Sequence, residues 1–164
     1  MSPTAVYEVD RVWDSDIRAL QTHVPVNVVG MADAIGLKVW TKGMPENVSG
    51  MIKKDLKFGG PAGYSIIVNK MQPRVRQRFT VAHEIAHYLL HRDRIGDGLE
   101  DDALFRSGLS TIEEVQANKL AARILMPFHL LRREMSAGNR TLPGLAARFE
   151  VSQKAMSIRL GLPE

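Results

Sequence analysis

His83, Glu84 and His87 form the pattern H-E-x-x-H, and His91 follows one turn later, so three of the chain's five histidines crowd one short stretch. Residues four apart on a helix lie one above the other on the same face. Two imidazoles placed that way can reach one zinc ion, with Glu84 displaced round the helix towards a bound water, as in a hydrolytic metal centre. The neighbours Phe79, Val81, Ala82, Ile85, Ala86, Leu89 and Leu90 are apolar on nearly every side, which predicts a buried helix. Bare imidazoles and a carboxylate are costly in such a helix, and metal ligation removes the cost. The pattern would arise by chance in roughly one chain in a hundred of this composition; a pair of satisfied core histidines is the ordinary alternative.

A catalytic zinc site uses three protein ligands and keeps a position for water. His91 is nearest in sequence, but an ion between His83 and His87 lies about a turn away from it. Tyr88-Leu89-Leu90 also contains no glycine to bend the chain back, so an outer or rim role suits His91 better. The stretch from Ser110 offers carboxylates. Ser110-x-x-Glu113 fits a capping box, which would occupy Glu113 at its own helix terminus. Glu114 then shares a face with Ala117, Asn118 and Ala121, whose small size lets two helices approach closely. Glu114 is the preferred third ligand, and Asn118 is placed to orient a ligand histidine. The other frame, in which Thr111 caps with Glu114, stays open. Tyr64, Tyr88 and His91 are the candidates to steady an oxyanion or to line the rim.

These residues need a scaffold. Periodicity predicts an amphipathic helix over 5–21 and a short one over 27–35, stopped by Gly36. Residues 37–40 are β-like, 43–47 are turn chemistry, and 48–54 can pair as the next strand, with Lys53, Lys54 and Lys57 as a solvated edge. Residues 58–63 match no phosphate-binding pattern and read as a connector. The clearest strand is 64–69, and a substrate lying extended along it would add to the sheet edge. Pro73 opens the histidine helix, where Arg76 shares the face of His83. Residues 92–109 read as an irregular acidic connection (Asp97, Glu100, Asp101, Asp102) forming a mobile rim. Helices are expected over 110–125, 128–134, 142–149 and 152–160.

Composition sets the frame. A chain of 164 residues, 45% hydrophobic and 24% charged, suits one domain over 1–164, with a core at 27–127 and closing helices at 128–164. The absence of cysteine excludes disulfides and thiolate metal sites. Residues 1–5 do not read as a signal peptide and no apolar run is long enough to span a bilayer, so a cytoplasmic protein without a membrane partner is expected. A net charge of +4 permits nucleic-acid contact without demanding it.

The stretch Arg78-Phe79-Thr80-Val81-Ala82-His83-Glu84-Ile85-Ala86-His87-Tyr88-Leu89-Leu90-His91, followed by Glu114-Val115-Gln116-Ala117-Asn118-Lys119-Leu120-Ala121-Ala122-Arg123-Ile124-Leu125-Met126-Pro127, resembles the ImmA/IrrE metallopeptidases. The resemblance runs from about residue 27 to 162. It implies an α+β, zincin-like single domain, with a short antiparallel sheet packed on the buried H-E-x-x-H helix and a helical C-terminal half ending in a helix-turn-helix-like tail. By position it makes His83, His87 and Glu114 the Zn2+ ligands and Glu84 the catalytic acid/base. Gln116 stands where members often carry Glu. The family acts on helix-turn-helix repressors, often encoded beside them in mobile-element or toxin–antitoxin modules. The implied function is a zinc endopeptidase that cleaves a protein partner, a repressor or antitoxin, and so regulates transcription. Two rivals remain: a metal-containing binder that holds such a partner without cutting it, and a DNA-binding regulator using Gln153, Lys154, Ser157 and Arg159 of the closing helices. Direct nucleic-acid contact is not the expected reading, because readers of that kind usually dimerise over two half-sites.

Overall fold

The computed structural model describes residues 17–96 and 111–163. In chain order they form α1 (Val28–Ala34), β1 (Leu37–Lys42), β2 (Gly50–Lys54), β3 (Tyr64–Asn69), α2 (Arg74–Leu90), a 3-10 turn (Arg92–Arg94), α3 (Thr111–Leu125), α4 (Phe128–Ser136), α5 (Leu142–Phe149) and α6 (Gln153–Arg159). Most of the helix expected over 5–21 and the acidic cluster Asp97, Glu100, Asp101 and Asp102 lie outside the described residues. No helix among the described residues is long and apolar enough to cross a membrane.

The sheet corrects one expectation. Its order is β1-β3-β2, with β2 antiparallel to β3 but β1 parallel to it, Leu37 opposite Tyr64 and Lys42 opposite Asn69. The sheet is therefore mixed rather than antiparallel, and β3 is its centre. The near-continuous run Ser65-Ile66-Ile67-Val68-Asn69, buried at all but Ile67, is what a strand paired on both edges needs. Both edges of β3 are taken, so a substrate strand cannot add there; β1 and β2 are the outer strands. Lys53 and Lys54 lie on β2 and Lys57 in the loop that follows it.

Capping chemistry sets the short elements. Asn27 accepts the Gly30 N–H at the start of α1, and Gly36 follows the helix in the left-handed region at φ +89°. Thr141 and Ser152 cap α5 and α6 in the same manner, accepting from Gly144 and Ala155. Pro73 sits at the N-cap of α2 and fixes the approach of the chain.

α2 is the centre of the molecule. Its buried residues Val81, Ala82, Ile85, Tyr88 and Leu89 join Ile66 and Val68 of the sheet and Ala121, Ile124 and Leu125 of α3 in one core. Each fully buried aliphatic side chain contributes about 1.5–3 kcal/mol. Ala117 and Ala121, both fully buried, let α3 lie close along α2. Gly50 does the same for β2: a Cβ there would stand 2.7 Å from the Thr80 methyl, so only glycine lets this strand approach α2 so closely. The carbonyls of Phe149, the last residue of α5, and of Glu150, its C-cap, accept from the Arg78 guanidinium, and Glu150 pairs with Arg74, tying the closing helices to α2.

Candidate metal centre

α2 presents His83 and His87 on one face, rings edge to face with centroids 4.5 Å apart. Their Nε2 atoms lie 2.9 Å from each other. α3, running alongside, brings the Glu114 carboxylate between them: Oε1 is 3.0 Å from His87 Nε2 and Oε2 is 3.4 Å from His83 Nε2. Two separate elements thus converge three donor atoms, all within 4.8 Å of one another. Neutral imidazole nitrogen and carboxylate oxygen are the donor set that zinc takes in hydrolytic sites. The residues present fit a zinc ion.

The second ring nitrogens are held from behind. His83 Nδ1 is 2.9 Å from Asn118 Oδ1, one turn along α3 from Glu114, as expected of a residue that orients a ligand histidine. His87 Nδ1 is 3.0 Å from His91 Nδ1, and His91 Nε2 is 3.0 Å from Gln116 Oε1. His91, buried and at the C-cap of α2, therefore stands behind His87 rather than beside His83. Gln116, which the sequence marks only as standing where members of the resembled family often carry Glu, is the residue whose contact with His91 sequence reasoning did not find.

Electrostatics separate the two candidate ligand histidines. Burial, together with the neighbouring His83, pushes the His87 pKa down to about 4, against the attraction of Glu114, so His87 is neutral and its ring nitrogen is available as a donor. Burial also works against charge on His83, but Glu114, Glu84 and Asn118 outweigh it and raise its pKa. Glu114 is held below the usual carboxylate range, first by its hydrogen bond with His83, against its own partial burial. Glu113 points elsewhere and accepts from Arg94 at 3.2 Å; Ser110, its expected capping partner, lies outside the described residues.

The centre opens onto a groove of about 1170 Å3. One wall is Ser49, Gly50 and Met51 at the start of β2; the floor is Arg76, Phe79, Thr80, His83, Glu84 and His87 of α2; the far wall joins Val115, Lys119 and Ala122 of α3 to Lys154, Ala155 and Ile158 of α6. Glu84 is buried and lines the groove next to the ligand cluster. Arg76 donates to the Ser49 hydroxyl across the groove floor. Tyr64 and Tyr88 pack edge to face with centroids 5.1 Å apart, and the Arg92 guanidinium covers the Tyr88 ring. Among the described residues neither tyrosine nor His91 lines the groove. Arg159 is engaged in packing: its Nε donates to the Met126 carbonyl and its guanidinium stacks on Phe128.

Comparison with known proteins gives the family. The model of the Peptidase_M78 family, described as the IrrE N-terminal-like domain, matches residues 32–161. The chain is 42% identical over 93 residues to the radiation response metalloprotease IrrE of Deinococcus radiodurans, covering 53% of this chain and 27% of that protein. It is 38% identical over 97 residues to the protein of that name in Deinococcus deserti, covering 56% of this chain and 34% of that protein. The chain thus spans about a third or less of the length of these curated relatives. A Mycobacterium tuberculosis transcriptional regulator superposes with a TM-score of 0.57 at 16% identity, over 98% of this chain and 48% of that one, a likeness of fold alone.

Proposed function

The chain belongs to the Peptidase_M78 family, the IrrE N-terminal-like peptidases, and from that membership we propose that it is a zinc-dependent endopeptidase of zincin-like architecture. One observation carries the reading: His83, His87 and Glu114 converge from two helices at the base of a long groove, with Glu84 beside them. A zinc ion held by these three residues would supply a Lewis acid that brings the pKa of water to about 7 and polarises a peptide carbonyl. Glu84, buried at the groove floor, takes the proton of the attacking water and passes it to the leaving amine. Asn118 holds the His83 ring in place from behind. The groove walls bind the chain on either side of the scissile bond, and the outer strand β2, at Ser49–Met51, replaces 64–69 as the sheet edge for an extended substrate.

The substrate is a protein partner, a helix-turn-helix repressor or antitoxin, cleaved in the cytoplasm. This follows from the sequence resemblance to the ImmA/IrrE proteins, whose members act on such partners. In this reading the helix-turn-helix-like pair α5–α6 serves the groove: Lys154, Ile158 and Arg159 lie on its wall, and Arg159 also donates to the Met126 carbonyl.

The test is a peptide library digested with the zinc-loaded protein and with its Glu84→Gln variant. Cleavage by the parent and none by the variant, with zinc content equal in both, is the expected result; removing one acid/base group of this kind costs about 100–10,000-fold. Equal cleavage by both proteins would contradict the role of Glu84. A parent that binds a repressor and cuts nothing would favour the non-proteolytic binder.

A further inference from the structure

His87 and His91 are both buried, and each ring nitrogen that faces the other must be matched, one as donor and one as acceptor. A neutral imidazole carries a single N–H, so the choice made at one end of a chain of rings dictates every later one. Here the chain has a fixed end. Gln116 Oε1 can only accept, so His91 Nε2 donates to it across 3.0 Å. His91 Nδ1 is then bare and accepts from His87 Nδ1–H across 3.0 Å. His87 Nε2 is in turn left with its lone pair, directed at the Glu114 carboxylate and at His83 Nε2. Asn118 Oδ1 makes the same choice for His83 by accepting from Nδ1. The result is an unneutralised cluster of acceptors, which is the condition a cation satisfies.

The opposite order, in which His91 donates from Nδ1, His87 accepts at Nδ1 and His87 Nε2–H donates to Glu114, would leave His87 no lone pair for metal; the Gln116 oxygen, which can only accept, selects against it.

We propose that Gln116, acting through His91, is the positioning residue that sets the tautomer of His87 and so keeps its Nε2 lone pair available to a metal ion. This rests on the reading that His83, His87 and Glu114 hold zinc. It concerns loading of the site, a step that precedes any cleavage.

The test uses the full chain at about pH 8, where imidazoles are ordinarily neutral. Two-bond nitrogen–proton spectra of the zinc-free protein read the tautomer of each histidine, and chelator competition reads zinc affinity. In Gln116→Glu, His87 is expected to carry its proton on Nδ1, with zinc bound at least as tightly as in the parent. In Gln116→Met, which cannot fix either register, His87 should become a mixture of tautomers and zinc should bind about 10–100-fold more weakly. His83, held by Asn118, keeps its proton on Nδ1 in both variants and reports an intact fold. The charge of the new glutamate is controlled by repeating the pair in a His91→Phe background. With the relay removed, the Glu and Met variants should bind zinc alike.

The proposal is overturned if Gln116→Met leaves the His87 tautomer and zinc affinity unchanged. It is equally overturned if the difference between the Glu and Met variants survives the loss of His91, since the effect would then be charge acting through space. A chain that binds no zinc at these histidines contradicts the functional reading instead, and the zinc-free spectra still decide the relay.

Discussion

Asn118 is the simplest residue against which to measure the site. It is exposed, its side chain accepts from His83 at 2.9 Å, and it touches no other element of the cluster through an assigned bond. Asn118→Ala should leave the fold unchanged and weaken zinc binding by roughly 10–100-fold, measured by chelator competition. Unchanged affinity would show that the ring of His83 needs no such support. The residues that bear the chemistry were the most legible part of the sequence. The i, i+4 spacing of His83 and His87 needs only a helix to set their rings on one face, and Glu114 needs only the small face of Ala117 and Ala121 to reach them. The partners behind the ligands were less legible. His91 could be placed near the site from its spacing, but Gln116 becomes meaningful only when the C-cap of α2 turns His91 towards α3.

At the scale of elements, the local signals held and the pairing did not. The strand 64–69 and the helix 142–149 coincide with β3 and α5, because alternation, apolar runs and caps are properties of neighbouring residues. The strand order β1-β3-β2 depends on which segments meet over long distances, and the parallel pairing of β1 with β3 has no local signature. Asn69 shows the same limit: its amide holds the carbonyls of Met44, Pro45 and Val48, so a residue at the end of one strand fixes the turn between the other two. A second long-range tie gives a prediction. Glu134 on α4, buried, receives two hydrogen bonds from Arg148 on α5 and one from Asn139, and these hold its carboxyl below the usual range. A carboxylate with a depressed folded pKa adds stability above its unfolded value of about 4.3, and that stability is lost as pH falls through the folded value. Glu134→Gln should therefore lower the melting temperature at neutral pH and have a shrinking effect below about pH 4. Because Arg148 is half exposed and solvent screens the pair, the loss at neutral pH should be small. An effect that stayed constant from neutral pH to pH 3 would contradict this account of the tie.

For the whole molecule, the groove is the product of three parts: the sheet supplies one wall, α2 the floor, and α3 with α6 the other wall. Ile158 on α6 is 66% exposed and lines that wall, where a peptide lying in the groove would meet its side chain. Ile158→Asp should leave zinc content and melting temperature nearly unchanged while raising KM for cleaved peptides, with kcat affected less. An unaltered KM would remove α6 from the substrate path. The groove has this role only if the centre at its floor holds a metal ion, and the metal content of the intact protein tests that most directly. Native mass spectrometry of the parent, Glu113→Gln and Glu114→Gln should find about one zinc per chain in the first two and little in the third, because Glu114 lies within 3.4 Å of both histidines whereas Glu113 is turned to Arg94. Zinc retained by Glu114→Gln and lost from Glu113→Gln would contradict the account.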